Sequence, residues 1–172
     1  ERTFNDNNGH PSSGLNVTTS LFERSEGKEA DDIAARFSTF SGDWDFAVSG
    51  FIGTAREPLI TPNQGSSALN ATYMLQETIG FEAQFTGDPT LLKWESLHGT
   101  QSGAGFDAAV AGLEYTLYGA FGQVWDLGLI AEGQYDTRPQ AAAERFYSAG
   151  LRLVLNDVKN TSFLALISQD QR

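Results

Sequence analysis

His98 lies two residues after Ser96, four before Ser102 and nine before Asp107 in a chain of 172 residues that holds only two histidines. A serine, an imidazole and a carboxylate are the residue types of nucleophilic acyl transfer. The hydroxyl attacks, the imidazole takes its proton, and the carboxylate orients the ring. No nucleophile-elbow spacing accompanies them. The plainer reading is a solvated histidine at a strand end, and the chain is expected not to be an enzyme. The other histidine, His10, falls in a polar N-terminal stretch. With two distant histidines and no cysteine, no metal site or cofactor is expected.

Other signals are weaker. "GTQSGAG" at 99–105 carries no lysine and precedes a strand, so it is loop punctuation and not a phosphate cradle. Glu23, Glu26, Glu29, Asp31 and Asp32 are acidic but lack the spacing of an EF-hand loop. They read as a solvated acidic loop. "NVT", "NAT" and "NTS" at 16, 70 and 160 fit the glycosylation sequon, a weak signal in a chain that contains many Asn and Thr residues.

The charged residues that matter sit inside alternating segments. In "LEYTLYGAFGQVWDLGLIAEGQYDTR", residues 113–138, Leu113, Tyr115, Leu117, Leu127, Leu129 and Ala131 fall on one face. Glu114, Thr116, Glu132, Gln134 and Asp136 fall on the other. A period of two means β-strands. The same alternation predicts strands near 31–40, 44–55, 71–86, 90–99, 105–118, 126–137, 145–155 and 161–169, with a weak strand at 15–22. Residues 1–30 read as a polar loop region, and 31–170 as the strands of a single barrel domain. Most are longer than the usual ~5–6 residues of globular strands and reach the ~9–11 that a tilted membrane crossing requires. Their second face would carry Arg36, Glu82, Lys93, Glu95, Glu114, Glu132 and Arg152.

The connections alternate in length. "SGD" at 41–43, "GDP" at 87–89 and "DVKN" at 157–160 are tight turns. Segments 56–70, 100–104 and 137–144 read as loops at the opposite end. Short, long, short, long is how an outer-membrane barrel is threaded. Aromatics gather at strand ends: Trp44, Phe85, Tyr115 and Trp125 toward the short turns, Tyr135 and Tyr147 toward the long loops. Rings at both boundaries are what a bilayer interface selects.

Formal charge −11 argues against a nucleic-acid partner, because nothing could neutralise a phosphate backbone. Mean hydropathy of −0.29 excludes neither a soluble protein nor a barrel, whose strands alternate.

"GDWDFAVSGFIGTAREP" (42–58), "LEYTLYGAFGQVWDLGLIAEGQYDTR" (113–138) and "AGLRLVLNDVKNT" (149–161) resemble a porin-like family of Gram-negative outer-membrane barrel proteins without an assigned activity. The resemblance spans roughly residues 31–167 and implies an antiparallel transmembrane β-barrel. Members of the family are considerably longer, and this chain is similar to their later portion. "LISQDQR" lacks the terminal aromatic strand typical of such barrels. The chain therefore reads as a piece of a larger barrel, or as an eight-stranded one with trimmed ends.

The expected function is passive, porin-like passage of small polar or cationic solutes across the outer membrane. The partners are the lipid bilayer and lipopolysaccharide, and homo-oligomer formation is left open. Three rivals are kept: a closed, non-conducting barrel serving as anchor or adhesin; a soluble β-sandwich or lipocalin-like binding protein; and a barrel hydrolase using His98.

Overall fold

Eleven strands and one turn of 3-10 helix at Gly27–Glu29 account for the regular structure of the computed structural model, which describes residues 16–63, 68–141 and 143–171. Eight strands form one sheet. In chain order they are β2 (Ile33–Ser41), β3 (Trp44–Thr54), β6 (Leu75–Gly87), β7 (Thr90–Gln101), β8 (Ala104–Ala120), β9 (Trp125–Asp136), β10 (Arg145–Val154) and β11 (Ser162–Gln171). Each pairs antiparallel with its neighbours in the order β11-β10-β9-β8-β7-β6-β3-β2. The remaining strands, β1 (Asn16–Phe22), β4 (Leu59–Pro62) and β5 (Ala68–Tyr73), make a three-stranded sheet with β5 in the middle and β1 parallel to it.

All eight long strands expected from the alternation are present, and so is the weak one near 15–22. Four expectations need correcting. Segment 56–70 is no plain loop, because it holds β4 and the start of β5. The eight-stranded sheet is open: β2 and β11 are its two edges and do not pair with each other. Segment 100–104 is no long loop, because the β7–β8 ladder runs through Gln101↔Ala104 and leaves a two-residue turn at Ser102 and Gly103. Both turn residues have positive φ, 50° and 76°, the backbone that favours a tight hairpin. Finally, 71–86 is two strands. The chain breaks at Met74, whose carbonyl accepts a bond from the Ala55 amide at 2.8 Å. Tyr73 thus leaves the large sheet and stacks on Phe22 of β1, ring centroids 5.0 Å apart.

Register decides the faces. Directly paired residues point to the same side of a sheet, and alternate residues along a strand do too. One side collects Phe37, Val48, Phe81, Leu92, Trp94, Leu113, Leu129, Leu151 and Ile167 through successive pairings. This apolar side is open: Phe37 is 72 % exposed, Ile79 57 %, Leu151 52 % and Ile167 74 %. The deeply buried positions of the large sheet lie on the opposite, charged side, where Ala47 is 3 %, Phe106 4 % and Gln101 4 % exposed. Burial is inverted relative to a protein with an apolar interior. Among the described residues no second layer covers the apolar side.

Candidate functional site on the charged face

Arg36, Glu82, Lys93, Glu95, Glu114, Glu132 and Arg152 all fall on the same side of the sheet, set there by the alternation and the register of six strands. Two of the three cations are engaged. Arg36 on β2 grips Glu82 on β6 with both ends of its fork, Nε to Oε1 at 3.1 Å and Nη2 to Oε2 at 2.7 Å. Arg152 on β10 lies 3.0 Å from Glu114 on β8. In both pairs the partner is two strands away, a lateral separation of about 9.6 Å. The intervening residues are small. Ala47 lies between Arg36 and Glu82, and Gly128 between Arg152 and Glu114. A Cβ on Gly128 would stand 3.6 Å from the Arg152 Cβ and 3.7 Å from Glu114 Oε1. The long side chains reach over these small residues, and with Ala47, Phe106 and Gln101 deeply buried here the charged face is the more enclosed side of the sheet.

Glu82 sits directly opposite Glu95, an unfavourable pairing of like charges that the Arg36 fork offsets on one member. The hollow beside them, about 410 Å³, is lined by Arg36, Asp45, Glu82, Gln84, Lys93 and Glu95.

One end of this face is crossed by the β9–β10 connection, a feature that sequence reasoning registered only as a long loop. Arg138 in that loop is held by Asp136, with Nη2 to Oδ2 at 2.6 Å, and its guanidinium lies 5.5 Å over the Phe106 ring. The Asp136 carboxylate raises its pKa above the ordinary arginine value, which keeps it charged. Its other end comes within 4.0 Å of Glu57, in the β3–β4 connection on the far side of β8, β7 and β6. Beside it Gln140 donates to Gln101 at 2.7 Å, and Gln101 donates to Gln76 at 3.3 Å. At this end Arg138 and Glu57 line a further cavity of about 670 Å³ with Arg36, Gln76 and Thr78. In the sequence only the length of segment 137–144 pointed to this crossing.

The aromatic residues expected at the boundaries take the opposite face. Trp44 packs on Phe85 with centroids 5.2 Å apart, near the β2–β3 turn. Tyr115 pairs with Thr90, and Trp125 begins β9 at the same end. Tyr135 and Tyr147 lie at the other end, where Arg145 reaches to 6.0 Å over the Tyr135 ring.

His98 and Asp107 also lie on the apolar face, directly opposite each other on β7 and β8. His98 Nδ1 and Asp107 Oδ1 are 2.7 Å apart. Ser96 shares the face two residues along β7, and the Trp94 indole donates to its hydroxyl at 3.3 Å. Ser102 is committed elsewhere, donating to Glu23 at 2.6 Å.

Comparison with known proteins finds no match: no family model, no curated protein and no solved structure is significantly similar to this chain.

Proposed function

We propose that this chain forms the wall of a β-barrel in the bacterial outer membrane, with its apolar face toward lipid and its charged hollow lining a water-filled passage for small polar or cationic solutes. The observation that carries the reading is the inverted burial. In water, each large side chain left open on the apolar face forgoes roughly 1.5–3 kcal/mol of burial free energy. Acyl chains remove that penalty. The dimensions fit as well. From Trp125 to Tyr135 on β9 is ten residues, about 33 Å along a strand. At a tilt of ~40° this gives the ~25 Å apolar band of outer-membrane barrels, with a ring at each boundary.

In hydrocarbon an unpaired strand edge leaves backbone groups unsatisfied at several kcal/mol each. Edges β2 and β11 are therefore closed in the membrane, either on each other, which their opposed directions permit, or on further strands. Passage needs no catalyst. It needs fixed charges around a wetted gap and a loop that narrows the mouth, and Arg138 with its neighbours supplies the second. Acids outnumber bases among the hollow's charges, and among the described residues no cation is paired with Glu95 or Glu132, so the field there favours cations.

Planar-bilayer recording tests this. The expected result is discrete conductance with cation preference, reduced in Glu114→Gln combined with Glu132→Gln. No current above lipid background removes the pore and leaves a closed wall serving as an anchor.

A further inference from the structure

We propose that Ser96, His98 and Asp107 form an acyl-transfer site on the lipid-facing side of the barrel, acting on carboxylic esters of lipid acyl chains. The inference rests on the outward, lipid-facing placement of the apolar side argued above, but not on the existence of a pore. Its first support is the assembled part of the machinery. Asp107 binds His98 Nδ1 at 2.7 Å, which leaves Nε2 as the ring atom free to take a proton. Asp107 is itself held in place: its amide donates to the Thr137 hydroxyl at 2.9 Å, and its carbonyl accepts from the Thr137 amide at 3.0 Å.

The second support is the position of the nucleophile. Ser96 follows the alternation of β7 onto the same face as His98, about 6.6 Å away along the strand. An imidazole covers much of that gap, and such contacts tighten when substrate is bound. The Trp94 indole N–H lies 3.3 Å from the Ser96 hydroxyl. That contact holds the hydroxyl oxygen as an acceptor and leaves its proton free to pass to a base.

The third support identifies the substrate class. Ser96 pairs with Ala109, which pairs with Tyr135, so the hydroxyl stands at the level of the boundary ring. His98 and Asp107 stand one step farther toward the loops. That is the depth at which the ester groups of membrane lipids meet the acyl region. Below Ser96 the face is cut back to Ala111, Ala131 and Gly133, with Trp94, Leu92 and Tyr147 at its sides, a groove of about 580 Å³. Ser96, His98 and Asp107 themselves line a second hollow of about 480 Å³ on the same face, one step farther toward the loops. An acyl chain laid over the groove would bring its carbonyl to the serine.

The step balances without a co-reactant other than water. The Ser96 oxygen bonds to the ester carbonyl carbon while its proton passes to His98 Nε2. The carbon–oxygen bond of the alcohol then breaks, and the alcohol leaves with that proton. Water cleaves the acyl-serine by the same route in reverse, releasing the fatty acid.

The test uses the full chain folded in detergent micelles and in phospholipid vesicles. A fluorophosphonate probe, nitrophenyl octanoate, the vesicle lipid and purified lipopolysaccharide are offered in turn. The expected results are a probe adduct on Ser96 and ester cleavage that falls about 10²–10⁴-fold in Ser96→Ala and in His98→Ala. Asp107→Asn should lower kcat with KM unchanged, and Asp107→Glu should restore part of the rate, as befits a positioning residue. Ser102→Ala should match the parent chain. Release of fatty acid from phospholipid or from lipopolysaccharide identifies which ester is the source. Absence of an adduct, or Ser96→Ala at the parental rate, overturns the proposal. Cleavage of the nitrophenyl ester alone overturns the lipid assignment. A conducting chain with no adduct sinks this inference and spares the pore, and an adduct without conductance does the reverse.

Discussion

Two glycines of one face carry opposite constraints. A Cβ on Gly99 of β7 would lie 2.0 Å from the Glu77 carbonyl oxygen and 2.9 Å from the Thr78 Cα. Backbone cannot yield as a flexible side chain can. Gly112 of β8, next to Lys93 in the ladder, would meet nothing nearer than 4.0 Å. Gly99→Ala is therefore expected to destabilise by about 1–3 kcal/mol through overpacking. Gly112→Ala should be neutral or stabilise by roughly 0.5–1 kcal/mol, since an unneeded glycine weakens a strand. Urea titration of the micelle-folded chain reads both. Equal effects would mean that the β6–β7 approach at Gly99 is looser than the geometry states. The sequence reads Gly99 at the edge of a loop and Gly112 inside a strand; only the neighbouring ladder shows which of them is constrained.

Among the elements, the β10–β11 connection shows how a polar turn holds long strands in register. Asp157 accepts from the Thr161 amide at 2.7 Å and from its hydroxyl at 2.8 Å. Asn156 donates to the Val124 carbonyl at 2.7 Å and to Asp126 at 2.8 Å, tying this turn to the neighbouring β8–β9 turn. The bonds to Thr161 pull the Asp157 pKa below its ordinary 3.8. A carboxylate depressed in the folded state stabilises above its unfolded pKa, and that contribution disappears as pH falls through the folded value. Protection of the Thr161 amide against hydrogen exchange should hold at neutral pH and fall off below the ordinary carboxylate range. In Asp157→Asn the fall should be absent. A pH-independent amide in the parent chain would remove Asp157 from this role. "DVKN" was legible as a turn from its residue types, whereas its tie to the adjacent hairpin depends on two turns meeting at one end of the sheet.

For the whole molecule the question is which side of the sheet meets lipid. The three tryptophans, Trp44, Trp94 and Trp125, all lie on the apolar face by pairing and alternation, which makes intrinsic fluorescence a reporter of that face alone. In vesicles with brominated acyl chains the emission should be strongly quenched, and aqueous acrylamide should have little effect. Quenching by acrylamide alone would place the face in water and remove both the pore and the acyl-transfer site. The absence of cysteine leaves the chain open to single-cysteine labelling of the hollow as a complementary readout.

The existence of the eight long strands and their division into an apolar and a charged face follow from the sequence itself, because the side-chain period of a strand is two whatever its neighbours are. Leu113 and Glu114 declare opposite sides without any knowledge of β7 or β9. Proximity across strands is another matter, since lateral neighbours are set by register. Register placed Asp107 on His98, made Ala47 and Gly128 the small residues over which two arginines reach, and brought Arg138 to Glu57 across three strands. It also showed that 100–104 is a two-residue turn and that the chain breaks at Met74. A one-dimensional pattern records which way a side chain points, and pairing in three dimensions records what it meets.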